Sequence, residues 1–166
     1  LRYHRTATQQ ARDTVRDNAH RAAGLVPVRF THAQVRYEPG YVEEILAARR
    51  ELAGRGLSLP LFLHSGETNR AESENLYDAL LLGAPRIGHG LALVRHPLLM
   101  EMVRERGVAV EVCPISNQIL GYVPDLRSHP AVAYINAGIP VVLSPDDPGL
   151  MRHTLSHDFY AAFMAW

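Results

Sequence analysis

Apolar residues recur along the chain in two rhythms. Short continuous runs occupy residues 25–31, 59–63, 108–113 and 139–144, with a briefer one at Ile87. Between them, apolar positions repeat every three or four residues. Over residues 41–53, Val42, Ile45, Leu46, Arg49 and Leu52 fall at helical spacing, and Gly54 ends the pattern. The same rhythm predicts helices over 71–82, stopping at Gly83, and over 130–137, closed by Gly138. Another runs over 97–107, with Pro97 in a first turn that tolerates it and Gly107 at its end. Residues 8–22 make a more polar helical stretch ending at Gly24, and residues 153–166 read as a last helix. Strands separated by helices, at intervals of about 20–30 residues, predict parallel βα units. The strands are near-continuous apolar runs, which predicts burial on both faces. An open doubly wound sheet and an arc of a barrel both satisfy this pattern.

Polar residues decide between the two. Each of the four later strands runs into reactive or hydrogen-bonding side chains: His64-Ser65-Gly66-Glu67, then His89, then Cys113-Pro114-Ile115-Ser116-Asn117, then Asp146-Asp147. Barrels gather catalytic residues at the C-terminal ends of several strands. A nucleotide-binding open sheet carries a glycine-rich phosphate loop after its first strand, and none occurs here. The expected fold is therefore α/β, the C-terminal βα units of a partial (β/α)₈ barrel. His, Glu, His and Asp on successive strand ends converge on one point above such a barrel. Imidazole and carboxylate are zinc ligands, and an open coordination position holds a water. Zinc lowers the pKa of that water from about 15.7 to roughly 7. The remaining carboxylate and histidine then suit proton donation and orientation of the nucleophile.

Each residue has a plainer reading. His64 follows Leu61-Phe62-Leu63 and suits a hydrogen-bonded core position, while Glu67 suits the first turn of a helix. Asp146-Asp147 suits a cap before Pro148. His89 between two glycines is harder to read that way, since glycine permits close backbone approach to a ligand. Two adjacent acids after a buried strand also repel unless a cation is near. Their shared strand-end placement gives these residues weight together.

Composition narrows the partners. Lys and Arg total 17 against 17 for Asp and Glu, so no electrostatic case exists for nucleic acid or membrane. At 47% hydrophobic and 20% charged, the 166 residues describe an ordinary soluble globular chain able to bury one core. Nine histidines exceed the usual share, but His4, His20, His32 and His96 lie among polar residues and read as solvated. Cys113 stands alone, so no intrachain disulfide forms. The opening residues lack the apolar core of a signal peptide, and no apolar run approaches the ~20 residues of a membrane helix. A start without methionine points to a fragment or a processed product.

Read together, the motifs resemble those of the adenosine deaminase family of metal-dependent hydrolases. His64-Ser65-Gly66-Glu67-Thr68 resembles its HAGE motif, Arg86-Ile87-Gly88-His89-Gly90 its RIGHG segment, and Ser144-Pro145-Asp146-Asp147-Pro148 its S-x-D-D-P segment. Residues 111–118, Asp125-Leu126-Arg127-Ser128-His129-Pro130 and Ser156-His157-Asp158-Phe159-Tyr160 resemble the secreted branch, the adenosine deaminase-related growth factors. The match is dense over 59–166 and vague before it. The resemblance implies a single incomplete catalytic domain over 1–166 with its motif-bearing part at 59–166. It also implies zinc ligands at His64 and Asp146, and a Glu67 that protonates the purine ring nitrogen beside the carbon under attack. His89 would orient and help deprotonate the attacking water, Asp147 would hold the purine's imidazole nitrogen, and Gly66 would let backbone approach the base. The implied reaction is hydrolytic deamination of adenosine, or 2′-deoxyadenosine, to inosine and ammonia, by an enzyme of purine metabolism. It parallels the His/Cys/Cys zinc deaminases with a different ligand set.

Two departures qualify this. The family takes two more zinc ligands from an H-x-H pair on its first strand, and this chain has no H-x-H. The strand the family places shortly before its HAGE motif, near a G-F-D-L-like segment, has no counterpart between residues 48 and 59. About five strands are predicted, whereas a complete barrel takes ~250 residues, and an open arc exposes strand edges. The expectation is that the isolated chain is not fully active. A catalytically silent nucleoside- or receptor-binding remnant is one alternative. An AMP deaminase-like or other amidohydrolase-type hydrolase is another, with Arg70, Arg95 and Arg152 as scattered phosphate candidates. By resemblance the protein is extracellular, and a homodimer where the family's N-terminal region is present.

Overall fold

A computed structural model describes residues 39–67 and 74–166. The chain divides into two units, Leu1–Leu59 and Pro60–Trp166. In the first, helix α1 spans Pro39–Gly54, close to the expected 41–53. It ends in a turn through Gly56, whose φ of 77° is left-handed, with the Leu57 amide donating to Leu52 O at 2.9 Å. The helix expected at 8–22 and the strand at 25–31 lie outside the described residues.

The second unit alternates strands and helices. Strand β1 (Phe62–Ser65) is followed by α2 (Asn75–Leu81), β2 (Arg86–His89), a 3₁₀ turn at Leu91–Arg95 and α3 (Pro97–Glu105). Then come β3 (Ala109–Val112), α4 (Pro114–Ile119), a 3₁₀ turn at Leu126–Ser128, α5 (Ala131–Asn136), β4 (Val141–Leu143), α6 (Pro148–Met151) and α7 (Leu155–Ala165). Every pairing is parallel, and the strand order is β1-β2-β3-β4. Phe62 pairs with Arg86, Arg86 with Ala109, and Val110 with Val141. A doubly wound sheet reverses its strand order at a switch point. The unbroken sequential order seen here is that of a barrel wall, so the expected class holds.

The strands depart from the sequence reading in two respects. The strand expected at 59–63 begins only at Phe62. Pro60 lacks an amide donor and restricts Leu59, so the ladder starts beyond it. Burial on both faces is also not met. Leu63, Ile87, Val110, Val112 and Leu143 turn one face into a core with Leu76, Leu80, Leu93, Leu99, Val103 and Tyr134. On the other face Phe62 is 55% exposed, and His64, Arg86, Glu111 and Val142 are exposed or half-buried. The alternation along each strand is the period-two geometry of the pleat, and among the described residues the core packs against one face.

Tyr134 ties this core to the strand ends. Its hydroxyl donates to Gly90 O at 2.7 Å and accepts from the Val94 amide at 3.1 Å. Burial pushes its phenol pKa well above the usual value, so it stays a neutral donor. α3 buries Leu99 and Val103, four residues apart, and stops where Gly107 takes a φ of 64°. Among the described residues, no helix is long and apolar enough to cross a membrane.

Candidate active site

The C-terminal strand ends bring three candidate residues together. His64 is the third residue of β1, His89 the last of β2, and Asp146 follows β4. One ligand atom from each lies within 4.8 Å of the others. The imidazole rings of His64 and His89 stand 5.0 Å apart at 53°. Gly88 pairs with His64 across the sheet, and a Cβ on it would meet the His64 ring at 3.5 Å.

Backbone geometry aims these groups. His89 and Asp146 adopt left-handed φ values of 65° and 57°. For a residue with a Cβ this costs on the order of 1–3 kcal/mol, which surrounding contacts must offset. Those contacts are visible. The Gly90 amide donates to Ser65 O at 3.0 Å and the Ala92 amide to Gly66 O at 2.8 Å, locking the β2 end to the β1 end. The Gly66 amide donates to Asn75 Oδ1 at 2.9 Å. On the other side, Ser116 Oγ donates to Asp146 Oδ2 at 2.6 Å. Asp158, fully buried on α7, accepts from the Ile115 amide at 3.2 Å and holds His153 Nε2 at 2.9 Å, pinning the start of α4.

Glu67 approaches from the β1 loop, with Oε1 3.8 Å from His89 Nε2 and its side chain 31% exposed. His89 itself is buried. Desolvation by that burial lowers its pKa below the usual histidine value, against the opposing pull of Glu67 and Asp146. Asp147 does not join this group. Its Oδ1 accepts from the Leu150 amide at 3.0 Å and caps α6, the plainer role open to it from sequence. Gly66, at φ 65°, sits against Leu76. Below the cluster, Arg86 Nε lies 2.9 Å from Glu111 Oε2 and its guanidinium stacks 4.3 Å over the Phe62 ring. Cys113 lies beside the cluster, where burial pushes its thiol pKa far above the usual range.

Sequence reasoning assigned no role to Ser116, Asn117 or His129. Asn117 Nδ2 reaches His89 Nδ1 at 3.3 Å, and its Oδ1 faces His129 Nε2 at 3.1 Å. Only their place in motif-like segments after a strand and before a helix marked them out.

Two imidazoles and a carboxylate on one locus are the donor chemistry of zinc and similar divalent metals. The model of the adenosine deaminase domain matches residues 4–165 of this chain. The chain belongs to the adenosine deaminase family. Adenosine deaminase 2-A of Danio rerio is 53% identical over 116 residues, which are 68% of this chain and 23% of that protein. Adenosine deaminase 2 of Dictyostelium discoideum is 49% identical over 109 residues, 65% of this chain and 20% of that protein. The chain thus spans under a quarter of the length of these relatives. Among solved structures, an adenine deaminase of Arthrobacter aurescens superimposes with a TM-score of 0.62 at 26% identity. That likeness covers 72% of this chain and 36% of that one. An amidohydrolase of Burkholderia ambifaria with bound Zn gives 0.59 at 26% identity, over 73% and 34%.

Proposed function

We propose that this family member carries the proton-transfer and metal-holding part of a zinc-dependent deaminase, a single incomplete catalytic domain acting on adenosine and 2′-deoxyadenosine. The observation that carries this is the convergence of His64, His89 and Asp146 donors within 4.8 Å, with Glu67 3.8 Å from His89. His64 and Asp146 are the proposed ligands. Zinc, when bound, supplies the Lewis acidity that makes water a nucleophile at neutral pH.

The chain's own residues do the rest. Glu67, half-buried beside His89, gives a proton to the purine ring nitrogen next to the carbon under attack. The water's oxygen bonds to that carbon, its protons pass to Glu67 and the amino group, and ammonia leaves, so adenosine and water become inosine and ammonia. His89 orients the incoming oxygen. Asp147 holds the imidazole nitrogen of the purine once it turns from its cap on Leu150. Gly66 lets backbone approach the base. With His64 and Asp146 as the proposed ligands and no H-x-H pair in the sequence, these 166 residues alone are expected to turn over slowly. Resemblance to the secreted branch supports an extracellular enzyme, and a homodimer where the family's N-terminal region is present.

Zinc content and inosine formation by the purified chain test this. We expect zinc binding lost in His64→Ala and Asp146→Ala, and zinc-dependent turnover well below the usual enzyme range of about 1–10³ s⁻¹. Glu67→Gln should abolish turnover while zinc stays bound. A chain that binds no zinc and forms no inosine refutes the reading and leaves the silent, nucleoside-binding alternative. Turnover of AMP above adenosine would favour the nucleotide reading. Of its three arginines, Arg70 lies outside the described residues.

A further inference from the structure

We infer that Asn117 and His129 are positioning residues that set the tautomer of His89, through a one-way hydrogen-bond relay that begins at a backbone amide. The amide of Ala131, at the start of α5, lies 3.0 Å from His129 Nδ1. A backbone N–H only donates, so His129 Nδ1 must carry a lone pair. A neutral imidazole has one N–H, which therefore sits on Nε2 and points at Asn117 Oδ1, 3.1 Å away. That fixes the orientation of the Asn117 amide. Its NH₂ end faces His89 Nδ1 at 3.3 Å and donates there. His89 must then hold its own proton on Nε2, the nitrogen 3.8 Å from Glu67 Oε1 and facing the cluster.

Nothing in the relay is free to reverse. His129 is 2% exposed, Asn117 is fully buried and His89 is 1% exposed, so water cannot substitute for a partner. Burial lowers the His129 pKa to about 4, which keeps the ring neutral through the physiological range. Its plane is held by Trp166, 5.3 Å away at 46°, whose indole N–H donates to Leu126 O at 2.8 Å. The relay thus runs from α5 through α4 to the end of β2, using a histidine from the Asp125–Pro130 motif that the catalytic proposal leaves unused.

The chemical consequence rests on the deaminase reading. An N–H on His89 Nε2 donates to the attacking oxygen and aims the oxygen's lone pair at the purine carbon, so His89 orients the water and, contrary to the role the resemblance implied, does not take its proton. The other tautomer would present a lone pair of its own and repel that oxygen.

The test uses the full 166-residue chain labelled with ¹⁵N-histidine, zinc-free and zinc-loaded, read by long-range ¹H–¹⁵N correlation spectra. Both His89 and His129 should be Nε2–H tautomers. Asn117→Asp keeps the shape but cannot donate to His89 Nδ1, so His89 should switch to Nδ1–H while thermal unfolding shows the variant folded. Should that variant unfold, His129→Gln and His129→Phe give the same answer. Gln still donates to Asn117 and should preserve the tautomer, whereas Phe should leave His89 a mixture. In the deamination assay Asn117→Asp should lower kcat by at least about 10²-fold, with KM changed under about twofold. A wrongly set catalytic imidazole costs a serine hydrolase about 10⁴. Nδ1–H on His89 in the unsubstituted chain, or no change in a folded Asn117→Asp, overturns the inference. Correct tautomers with no deamination by any form support the relay and refute the functional reading alone.

Discussion

Replacing Gly66 by alanine is expected to destabilise the Pro60–Trp166 unit by several kcal/mol, for two separable reasons. The residue sits at φ 65°, where an L side chain costs about 1–2 kcal/mol. A Cβ there would also lie 2.9 Å from Cγ, Cδ1 and Cδ2 of Leu76. Leu76 is 1% exposed within the core cluster, so its side chain cannot swing aside, and overpacking of this kind costs about 1–3 kcal/mol. Together these predict about 2–5 kcal/mol, a large share of the roughly 5–15 kcal/mol that holds a typical domain. Urea unfolding followed by circular dichroism measures it. The two parts come apart in a double-mutant cycle. Leu76→Ala is costly alone, but combined with Gly66→Ala it should recover about 1–3 kcal/mol of the sum, because only the clash disappears. A Gly66→Ala chain within about 0.5 kcal/mol of the original would refute the reasoning, as would strict additivity of the two changes.

Three further outcomes follow from the same geometry. Tyr134→Phe leaves the Val94 amide and Gly90 carbonyl without their 3.1 and 2.7 Å partner, and should cost about 1–3 kcal/mol in denaturant titration. Ser116→Ala removes the 2.6 Å bond to Asp146 and should weaken zinc binding by about 10–100-fold in a competition titration, with little change in unfolding. His129 gives a pH signature. Burial lowers its pKa from 6.5 to about 4, so below 6.5 the unfolded chain takes up a proton that the folded chain refuses. Stability should therefore fall as pH drops from 6.5 towards 4, by up to about 3 kcal/mol. Unfolding of His129→Gln across that window should be flatter by a similar amount.

Helices α2, α3 and α5 were legible because each stop is a local signal. Gly83, Gly107 and Gly138 take the left-handed turns that their place after an apolar rhythm announces. The strand ends were legible because β1 to β4 run straight into polar side chains, and three of those, His64, His89 and Asp146, do converge. The start of β1 was misplaced because apolar character does not reveal where hydrogen bonding begins, and Pro60 withholds a donor. The half-open face was missed because a run such as Leu61-Phe62-Leu63 does not say how many layers cover it. The relay through Asn117 and His129 had no local mark at all. His89 and Asn117 lie 28 positions apart, and which atoms meet depends on the sheet register and on where α4 and the start of α5 sit beside it. Asp147 was ambiguous for the opposite reason, since a strand-end acid before Pro148 suits a cap and a substrate contact equally well.

The unbroken order β1-β2-β3-β4 bears on how this unit comes into being. Each strand hydrogen-bonds to the strand before it in the chain, Phe62 to Arg86, Arg86 to Ala109, Val110 to Val141. None must wait for a segment made later before it finds its inner neighbour. Growth can then follow synthesis, one βα unit docking on the last, as in stacked repeats where stability accrues between neighbours. The loop closures stay short and of similar size, which keeps the entropic toll of each step small. The strand-end cluster behaves differently. Its first residue sits on β1 and its last follows β4, so its three donors come together only after the whole series has formed, and on the proposed zinc reading metal uptake would report the completion of folding.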